Sequence, residues 1–200
     1  MIGLISGFGT RAGHLVYTKF LNSFIADQDS DWPEIMMVNV APKFDKYATV
    51  TKDIIEKLKS TTAMMKNCSH VFVACNTVHL YKDEWFSNNS VDWTKEFKKT
   101  IPDDFVIIGS KTSANGCLYD MADDELVSDL IECYIGSVTP ERTIRAHNIW
   151  KSLQRHKKLA LCCTELSLAY DEFGCAPDVT VIDCSDFLVK MMITATKEPT

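Results

Sequence analysis

The chain has 200 residues, of which 46% are apolar and 24% are charged, as is ordinary for a globular protein with a substantial core. The net charge of −6, with no stretch rich in Lys and Arg, argues against a nucleic-acid binder. The longest apolar runs are well short of the ~20 residues that a membrane span needs, and no basic segment precedes the first of them. We therefore expect a cytoplasmic protein without nucleic-acid or membrane partners.

Short apolar runs alternate along the chain with amphipathic helical stretches. The runs predict strands at residues 2–6, 36–40, 71–75, 105–108, 159–163 and 179–183. The periodicity predicts helices between them, among others at residues 51–66, 124–135 and 140–153. Strands that are apolar throughout and separated by helices indicate parallel sheets covered on both faces. The predicted fold class is therefore α/β.

The two halves of the chain resemble each other. Residues 7–17 (GFGTRAGHLVY) align without a gap with residues 109–119 (GSKTSANGCLY), and four of the eleven positions are identical. Each segment follows the first strand of its half, and each half later has a strand that ends in Cys, which indicates an internal duplication. The turn sequence IPDD at 101–104 predicts the boundary between an N-terminal lobe (1–102) and a C-terminal lobe (103–200). The final helix could pack back on the first lobe.

The chain has eight cysteines, with no C-x-x-C pair and no His at metal-ligand spacing, so no metal site is predicted. Most of them are interpreted as small buried apolar residues. Cys75 and Cys163 differ, because each ends an apolar strand. Hydrogen-bonding side chains follow both: Asn76 and Thr77 come after the first, Thr164 after the second.

The position of these two cysteines predicts a chemistry. Ligands of open α/β sheets bind beyond the carboxyl ends of the strands, so two facing lobes would place Cys75 and Cys163 around one cleft. The positive end of a following helix favours the thiolate, and its free N–H groups, with Asn76, Thr77 and Thr164, suit a carboxylate. Two thiols could remove a proton from one face of a carbon and return one to the other. We therefore predict racemisation or epimerisation next to a carboxylate, with no cofactor.

The same residues carry a resemblance to a known family. ACNTVH (74–79) together with CTEL (163–166) resembles the paired signature of the aspartate/glutamate racemase superfamily, and its aspartate racemase branch in particular. IGLISGFGTRAGHLVYTKF, IIGSKTSANGCLYD and VTVIDCSDF resemble the glycine-rich start, the second-half segment and the closing strand and helix of that branch. The resemblance implies two pseudo-symmetric α/β lobes, an active site between them and a homodimer. It also implies racemisation without pyridoxal phosphate, with Cys75 and Cys163 as the acid/base pair.

The resemblance also implies roles for individual residues around the substrate. The side chains of Asn76, Thr77 and Thr164 are expected to bind the α-carboxylate. The full set of residues expected to bind the substrate is Gly9, Thr10, Arg11, Lys46, Asn76, Thr77, Thr112 and Thr164. The branch has an Arg for the distal carboxylate after its second strand, where this chain reads APKFDK (41–46). Lys46 or a displaced Arg11 are the candidates to replace it, although a lysine lacks the planar fork of a guanidinium.

Three further residues have two interpretations each. His79 is a proton donor or a packing and capping group, and Glu165 orients a thiol or the substrate ammonium or is an ordinary first-turn carboxylate. Cys162 stands where the family usually has Gly. It is expected to be a filler whose side chain points the opposite way along the strand, the alternative being a competitor for oxidation.

The predicted function is a cofactor-independent amino-acid racemase acting on an acidic amino acid, aspartate or glutamate. One alternative is an isomerase or decarboxylase of a small dicarboxylate in the same superfamily, chemistry that often uses only one of the cysteines. Another is a catalytically silent relative that binds an amino acid. The presence of both cysteines favours the racemase.

Overall fold

Two parallel sheets of three strands each form the framework of the protein. The computed structural model describes residues 1–43, 45, 47–116, 118 and 125–197. The first sheet has the order β2-β1-β3, and the second has the order β4-β5-β6. The strands are β1 (Ile2–Ser6), β2 (Ile35–Asn39), β3 (His70–Val73), β4 (Val106–Gly109), β5 (Lys158–Cys162) and β6 (Thr180–Asp183). All four strand pairings are parallel, which confirms the predicted α/β class.

The central strands of the two sheets are the most deeply buried. All five residues of β1 are buried, as are the last four of β5, because each pairs on both edges and is covered on both faces. This is why the two segments read as continuous apolar runs rather than as alternating ones. The predicted strand limits differ from the observed ones by at most two residues at either end.

Helices cover the sheets and connect the strands. They are α1 (Thr10–Ser23), α2 (Lys52–Met64), α3 (Lys82–Trp85), α4 (Trp93–Thr100), α5 (Lys111–Asn115), α6 (Glu125–Tyr134), α7 (Pro140–Leu153), α8 (Thr164–Phe173) and α9 (Cys184–Thr196). The predicted helices at 51–66, 124–135 and 140–153 correspond to α2, α6 and α7. Thr139 caps α7 by accepting a hydrogen bond from the Arg142 N–H, and Pro140 occupies the first position of that helix. Within the described ranges, no helix is long and apolar enough to cross a membrane.

The core that joins the two halves contains residues from both of them. Phe20 of α1 and Trp93 of α4 pack in one buried cluster with Leu188 and Met192 of α9. Helix α9 therefore contacts the first half as well as the second. The two sheets lie on opposite sides of residues 102–103, and this exact boundary between the two lobes stays a prediction.

A buried ion pair also connects the halves. The Lys19 ammonium on α1 lies 2.8 Å from an Asp183 carboxylate oxygen at the end of β6, and the Asp183 side chain is fully inaccessible. The other oxygen of Asp183 accepts from the Ser167 hydroxyl of α8 at 2.5 Å and from the Ser185 N–H at 2.9 Å. One carboxylate thus joins α1, α8 and the start of α9.

Candidate active site

The carboxyl ends of β3 and β5 bring the two predicted thiols together. Cys75 lies two residues beyond β3, and Cys163 follows β5 directly as the N-cap residue of α8. The side chains are almost equally enclosed, because the two residues are 6% and 5% exposed. A charge on Cys75 raises the pKa of Cys163, so the two sulfurs lie within electrostatic reach of each other.

Glu165 lies beside both thiols and bonds directly to one. The Cys163 thiol donates to a Glu165 carboxylate oxygen at 2.9 Å, and the Thr164 hydroxyl lies 3.4 Å from the same oxygen. The carboxylate is buried and packs against Gly9, where an added Cβ would lie 2.0 Å from the other Glu165 oxygen. A larger residue at position 9 would therefore require the Glu165 carboxylate to move, whereas the extended backbone of Gly9 suits any residue. The glycine-rich segment after β1 makes room for a carboxylate of the other half.

Burial raises the pKa values of both thiols. It is the main reason why the pKa of Cys75 rises to about 12, and the charge of Glu165 adds to it. The N–H groups of Thr77 and Val78 and the Thr77 hydroxyl act in the opposite direction and lower the pKa of this thiol. For Cys163, burial, the charge of Glu165 and the hydrogen bond to it raise the pKa well above the ordinary value.

The N–H groups at both helix starts lower the pKa of the neighbouring thiol, as expected, but burial outweighs them. A buried sulfur loses hydration of its charged form, and that cost exceeds the attraction of the partial charges at a helix end. The element that follows Cys75 is moreover a five-residue 3-10 helix, Thr77–Tyr81, which contributes only a small dipole.

The three side chains predicted to bind an α-carboxylate lie next to the thiols, and each makes a contact between the halves. The Asn76 amide donates to the Cys184 sulfur at 3.3 Å. The Thr77 hydroxyl lies 2.8 Å from the Ser110 hydroxyl and 3.0 Å from that of Ser113. The Thr164 hydroxyl donates to the Ala74 carbonyl over a longer distance of 3.4 Å. All three side chains are buried and carry hydrogen-bond donors at the junction of the halves.

Three residues of this site are absent from the predicted set: Ser110, Ser113 and Cys184. Ser110 directly follows β4 and caps α5 by accepting a hydrogen bond from the Ser113 N–H. Cys184 directly follows β6. A polar or thiol side chain just beyond a strand is the signal that singled out Cys75, and the same signal was available for Ser110 and Cys184.

A cavity of about 290 Å³ lies beside Gly9, and neither Cys75 nor Cys163 is among its walls. Its walls are Gly7, Phe8, Gly9, Thr10, Arg11, Ala41, Pro42, Lys43, Tyr134, Ile135 and Gly136. Gly9 forms one wall and contacts Glu165 as well, which links the cavity to the carboxylate bonded to Cys163. The Arg11 guanidinium lies 5.6 Å from the centre of the Tyr134 ring. Three predicted residues, Gly9, Thr10 and Arg11, therefore line one space.

Two of the predicted substrate-binding residues are placed differently. Lys46 lies outside the described residues, whereas Lys43 of the same segment lines the cavity and was not singled out from the sequence. Thr112 is not among the cavity walls, and its hydroxyl donates to the Tyr47 carbonyl at 2.7 Å. The Thr112 side chain thus connects the start of α5 to the loop before α2 by a hydrogen bond.

His79 supports the backbone of Cys75 rather than its sulfur. Its Nδ1 lies 2.8 Å from the Cys75 carbonyl oxygen, which can only accept, so Nδ1 carries the hydrogen. The ring is enclosed edge-on by Trp85, Phe86 and Trp93, and burial lowers the pKa of His79. A neutral, packed imidazole is consistent with the interpretation of His79 as a packing group.

Cys162 and Cys163 point into different cores. Cys162 belongs to the cluster that joins the halves, and Cys163 belongs to the cluster of the C-terminal half. This is the alternation that the strand predicts for neighbouring residues. Among the described residues, no cluster of His, Cys, Asp and Glu side chains could hold a metal ion.

Comparison with known proteins relates the chain to racemases through its fold. No family model matches the chain, and no curated protein matches it. The aspartate racemase of Picrophilus torridus superposes with a TM-score of 0.80 at 17% identity, covering 99% of this chain and 94% of that one. The glutamate racemase of Francisella tularensis, in complex with D-glutamate, has a TM-score of 0.62 at 18% identity, covering 96% and 79%. The glutamate racemase of Campylobacter jejuni has a TM-score of 0.59 at 16% identity, covering 96% and 84%.

Proposed function

We propose that this chain, which has the two-lobed fold of the aspartate and glutamate racemases, is an amino-acid racemase that works without pyridoxal phosphate. The observation that carries the proposal is the pair of buried thiols at the carboxyl ends of two parallel strands, within electrostatic reach of each other. Such a pair can act on one carbon from two sides, which is the requirement for inverting its configuration.

The reaction consists of two proton transfers at the α-carbon. For one enantiomer, Cys75 as thiolate removes the α-proton and the Cys163 thiol donates a proton to the opposite face. For the mirror image the two roles are exchanged. The side chains of Asn76, Thr77 and Thr164 supply donors for the α-carboxylate, and their hydrogen bonds offset the negative charge that develops when the α-proton leaves. Burial strengthens these interactions, because the surrounding dielectric constant is low.

The cavity favours an acidic amino acid as the substrate. Its volume of about 290 Å³ lies at the lower end of the range for small-molecule sites. Arg11 and Lys43 supply positive charge to its walls, which suits a second carboxylate. Aspartate or glutamate is therefore the proposed substrate, and a homodimer stays the expectation from the family resemblance.

Exchange of the α-proton tests the proposal directly. The protein is incubated in deuterated water with L-aspartate, with L-glutamate or with the corresponding D-amino acids, and α-deuterium and chirality are measured by mass spectrometry and chiral chromatography. We expect deuterium in both enantiomers of the preferred substrate, and none with a folded Cys75→Ala/Cys163→Ala variant. Folded protein that exchanges no α-proton in any of the four amino acids would contradict the proposal. Release of carbon dioxide without inversion would instead favour a decarboxylase.

A further inference from the structure

We infer that Glu165 makes the two thiols unequal, so that Cys75 is the first of the pair to lose its proton while Cys163 keeps one. The inference rests on the proposed two-thiol chemistry and assigns a positioning role to Glu165, which acts through Cys163. In the free protein Cys75 is then the base and Cys163 is the acid. Each half places its thiol just beyond the end of a parallel strand, but the two thiols start the reaction in different states.

The contact between Cys163 and Glu165 requires a proton. The sulfur lies 2.9 Å from a Glu165 oxygen. Burial raises the pKa of Glu165 and the hydrogen bond from Cys163 lowers it, but a carboxyl group loses its proton far more readily than a thiol, so the carboxylate accepts and the sulfur keeps the hydrogen. Removing the thiol hydrogen would leave two negative charges at this distance in a buried site, where their repulsion is barely screened. The Thr164 hydroxyl, 3.4 Å away, adds a weak donor to the carboxylate and leaves this repulsion in place. The geometry therefore opposes a Cys163 thiolate.

The surroundings of Cys75 have the opposite character. The N–H groups of Thr77 and Val78 and the Thr77 hydroxyl all lower the pKa of the Cys75 thiol, because donors stabilise the charged form of an acid. At Cys163 the Glu165 N–H acts in the same direction, but the thiol itself donates to the Glu165 carboxylate at 2.9 Å. The charge of Glu165 disfavours both thiolates, but only Cys163 is bonded to it.

The other titratable groups around Cys75 and Cys163 do not reverse this difference in how readily the two thiols lose a proton. Asp183 is paired with Lys19, and Cys184 is a buried thiol whose pKa is raised by burial and by the Asp183 charge. His79 bonds to the Cys75 carbonyl, and burial lowers its pKa, which keeps the imidazole neutral. Arg11, at the cavity wall, contacts the Tyr134 ring.

Gly9 provides a second observation that the position of this carboxylate matters. Its backbone is extended, a conformation that any residue adopts, yet a methyl group there would lie 2.0 Å from a Glu165 oxygen. The first half thus leaves a gap that Glu165 of the second half fills. An alanine at position 9 would displace the carboxylate from Cys163 without removing its charge from the protein.

The proton balance of one turnover follows from the assignment. The Cys75 thiolate takes the α-proton and becomes a thiol, while Cys163 gives its proton to the opposite face and becomes a thiolate beside Glu165. Exchange with water then returns a proton to Cys163 and removes one from Cys75. Because the two enantiomers have equal energy, kcat/KM of racemisation is the same in both directions whatever the populations of these forms. The test must therefore measure the thiols themselves.

The experiment measures the rate at which each thiol is converted to its methyl disulfide, by peptide mass spectrometry, in a Cys175→Ser background because Cys175 is exposed. Methyl methanethiosulfonate is the probe, since it reacts with thiolates. With nearly equal exposure of the two residues, we expect Cys75 to react at least about tenfold faster than Cys163 at pH 7, as a difference of one pKa unit implies. In Glu165→Gln, which removes the charge, this ratio should fall by about tenfold or more.

Two further variants complete the test. Asp171→Asn removes the same charge from an exposed position of the same helix and should leave the ratio unchanged. Gly9→Ala should lower the ratio of the two rates as Glu165→Gln does. It replaces Glu165→Gln in the test if the Glu165→Gln variant does not fold. Equal rates in the unmodified chain, or a ratio that neither variant changes, would overturn the inference. A ratio that behaves as expected in a protein without α-proton exchange would overturn the proposed function instead.

Discussion

Each cysteine site follows a parallel strand, but β3 lies at the edge of its sheet and β5 at the centre of the other, and the surroundings of the two thiols differ. Each thiol follows the carboxyl end of a parallel strand and is almost fully buried. Cys75 leads into a short 3-10 helix whose first N–H groups lower the pKa of its thiol, whereas Cys163 is the N-cap residue of a ten-residue α-helix with Glu165 in its first turn. The strand ends place the thiols, and the residues after each strand determine whether the thiol is better suited to be an acid or a base.

The hydroxyl groups that follow the two cysteines differ in the same way. Thr77 has two hydroxyl partners at 2.8 and 3.0 Å, both from the other half of the chain. Thr164 makes only contacts of 3.4 Å. The Cys75 site is therefore held by a compact hydroxyl cluster, and the Cys163 site is held mainly by the bond to Glu165.

Replacing the thiols should have the largest effect on activity. Serine has a far higher pKa than cysteine and is a poor base, so Cys75→Ser and Cys163→Ser should each lose racemisation by at least about 10³-fold. Loss of chloride from β-chloroalanine needs only the first proton abstraction, so each variant should still eliminate chloride from one enantiomer, measured as pyruvate release. The surviving enantiomer should differ between the variants. If both variants spare the same enantiomer, the thiols do not work on opposite faces.

The ion pair beneath both sites should dominate their stability. Lys19→Met leaves the inaccessible Asp183 carboxylate without its cation, which should lower the free energy of unfolding by roughly 3 kcal/mol. Lys59→Met removes an exposed pair with Glu56 and should cost less than about 0.5 kcal/mol. Urea denaturation at pH 7 measures both. Equal values for the two variants would mean that Asp183 is held by its serine partners instead.

The high pKa of Cys75 predicts a steep dependence of activity on pH. The base must lose its proton, and below a pKa of about 12 the thiolate fraction grows about tenfold per pH unit. In the free enzyme kcat/KM should therefore rise by about 100-fold between pH 6.5 and 8.5, as initial rates at low aspartate concentration would show. A plateau within this range would indicate that another group lowers the pKa of Cys75.

Replacing Thr77 and replacing Thr164 should lower activity to different extents. Thr77→Val removes the hydroxyl bonded to Ser110 and Ser113, which should cost about 1 to 2 kcal/mol of transition-state stabilisation and about tenfold in kcat/KM. Thr164→Val breaks only the longer contacts and should cost about threefold. A larger loss for Thr164 would mean that its hydroxyl moves closer when substrate binds.

The cations of the cavity should give the smallest effect, and one that depends on the substrate. Arg11→Met or Lys43→Met should raise KM for the acidic substrate by about threefold to tenfold while leaving KM for a neutral analogue unchanged. Lys66→Met, an exposed position away from the cavity walls, is the matched control. Equal changes for both substrates would show that neither cation contacts the distal carboxylate.

Local patterns in the sequence were sufficient to predict the framework of the fold. The apolar runs predict all six described strands to within two residues, and the parallel arrangement follows from their continuous apolar character. Helix α7 was predicted at its observed limits, because Thr139 and Pro140 mark its start and its apolar periodicity stops at its end. The same patterns predict the ends of β3 and β5, where Cys75 and Cys163 lie.

Contacts between distant parts of the chain could not be predicted in this way. The packing of Gly9 against Glu165 depends on how the two halves approach each other, and nothing near either residue indicates it. The Ser110 and Ser113 partners of Thr77 and the position of Lys43 in the cavity wall depend on the same approach. Burial, which outweighs the expected helix-end effect on the thiols, is likewise a property of the folded chain.

The sequence by itself determined which segments form strands and helices and where the thiols follow the strands, because these properties depend on neighbouring residues and their periodicity. Only the tertiary structure decided which groups surround each thiol and how readily each loses its proton. Desolvation and Coulomb interactions depend on distances in space. Residues far apart in the chain, such as Gly9, Cys75 and Glu165, acquire those distances only when the two halves fold together.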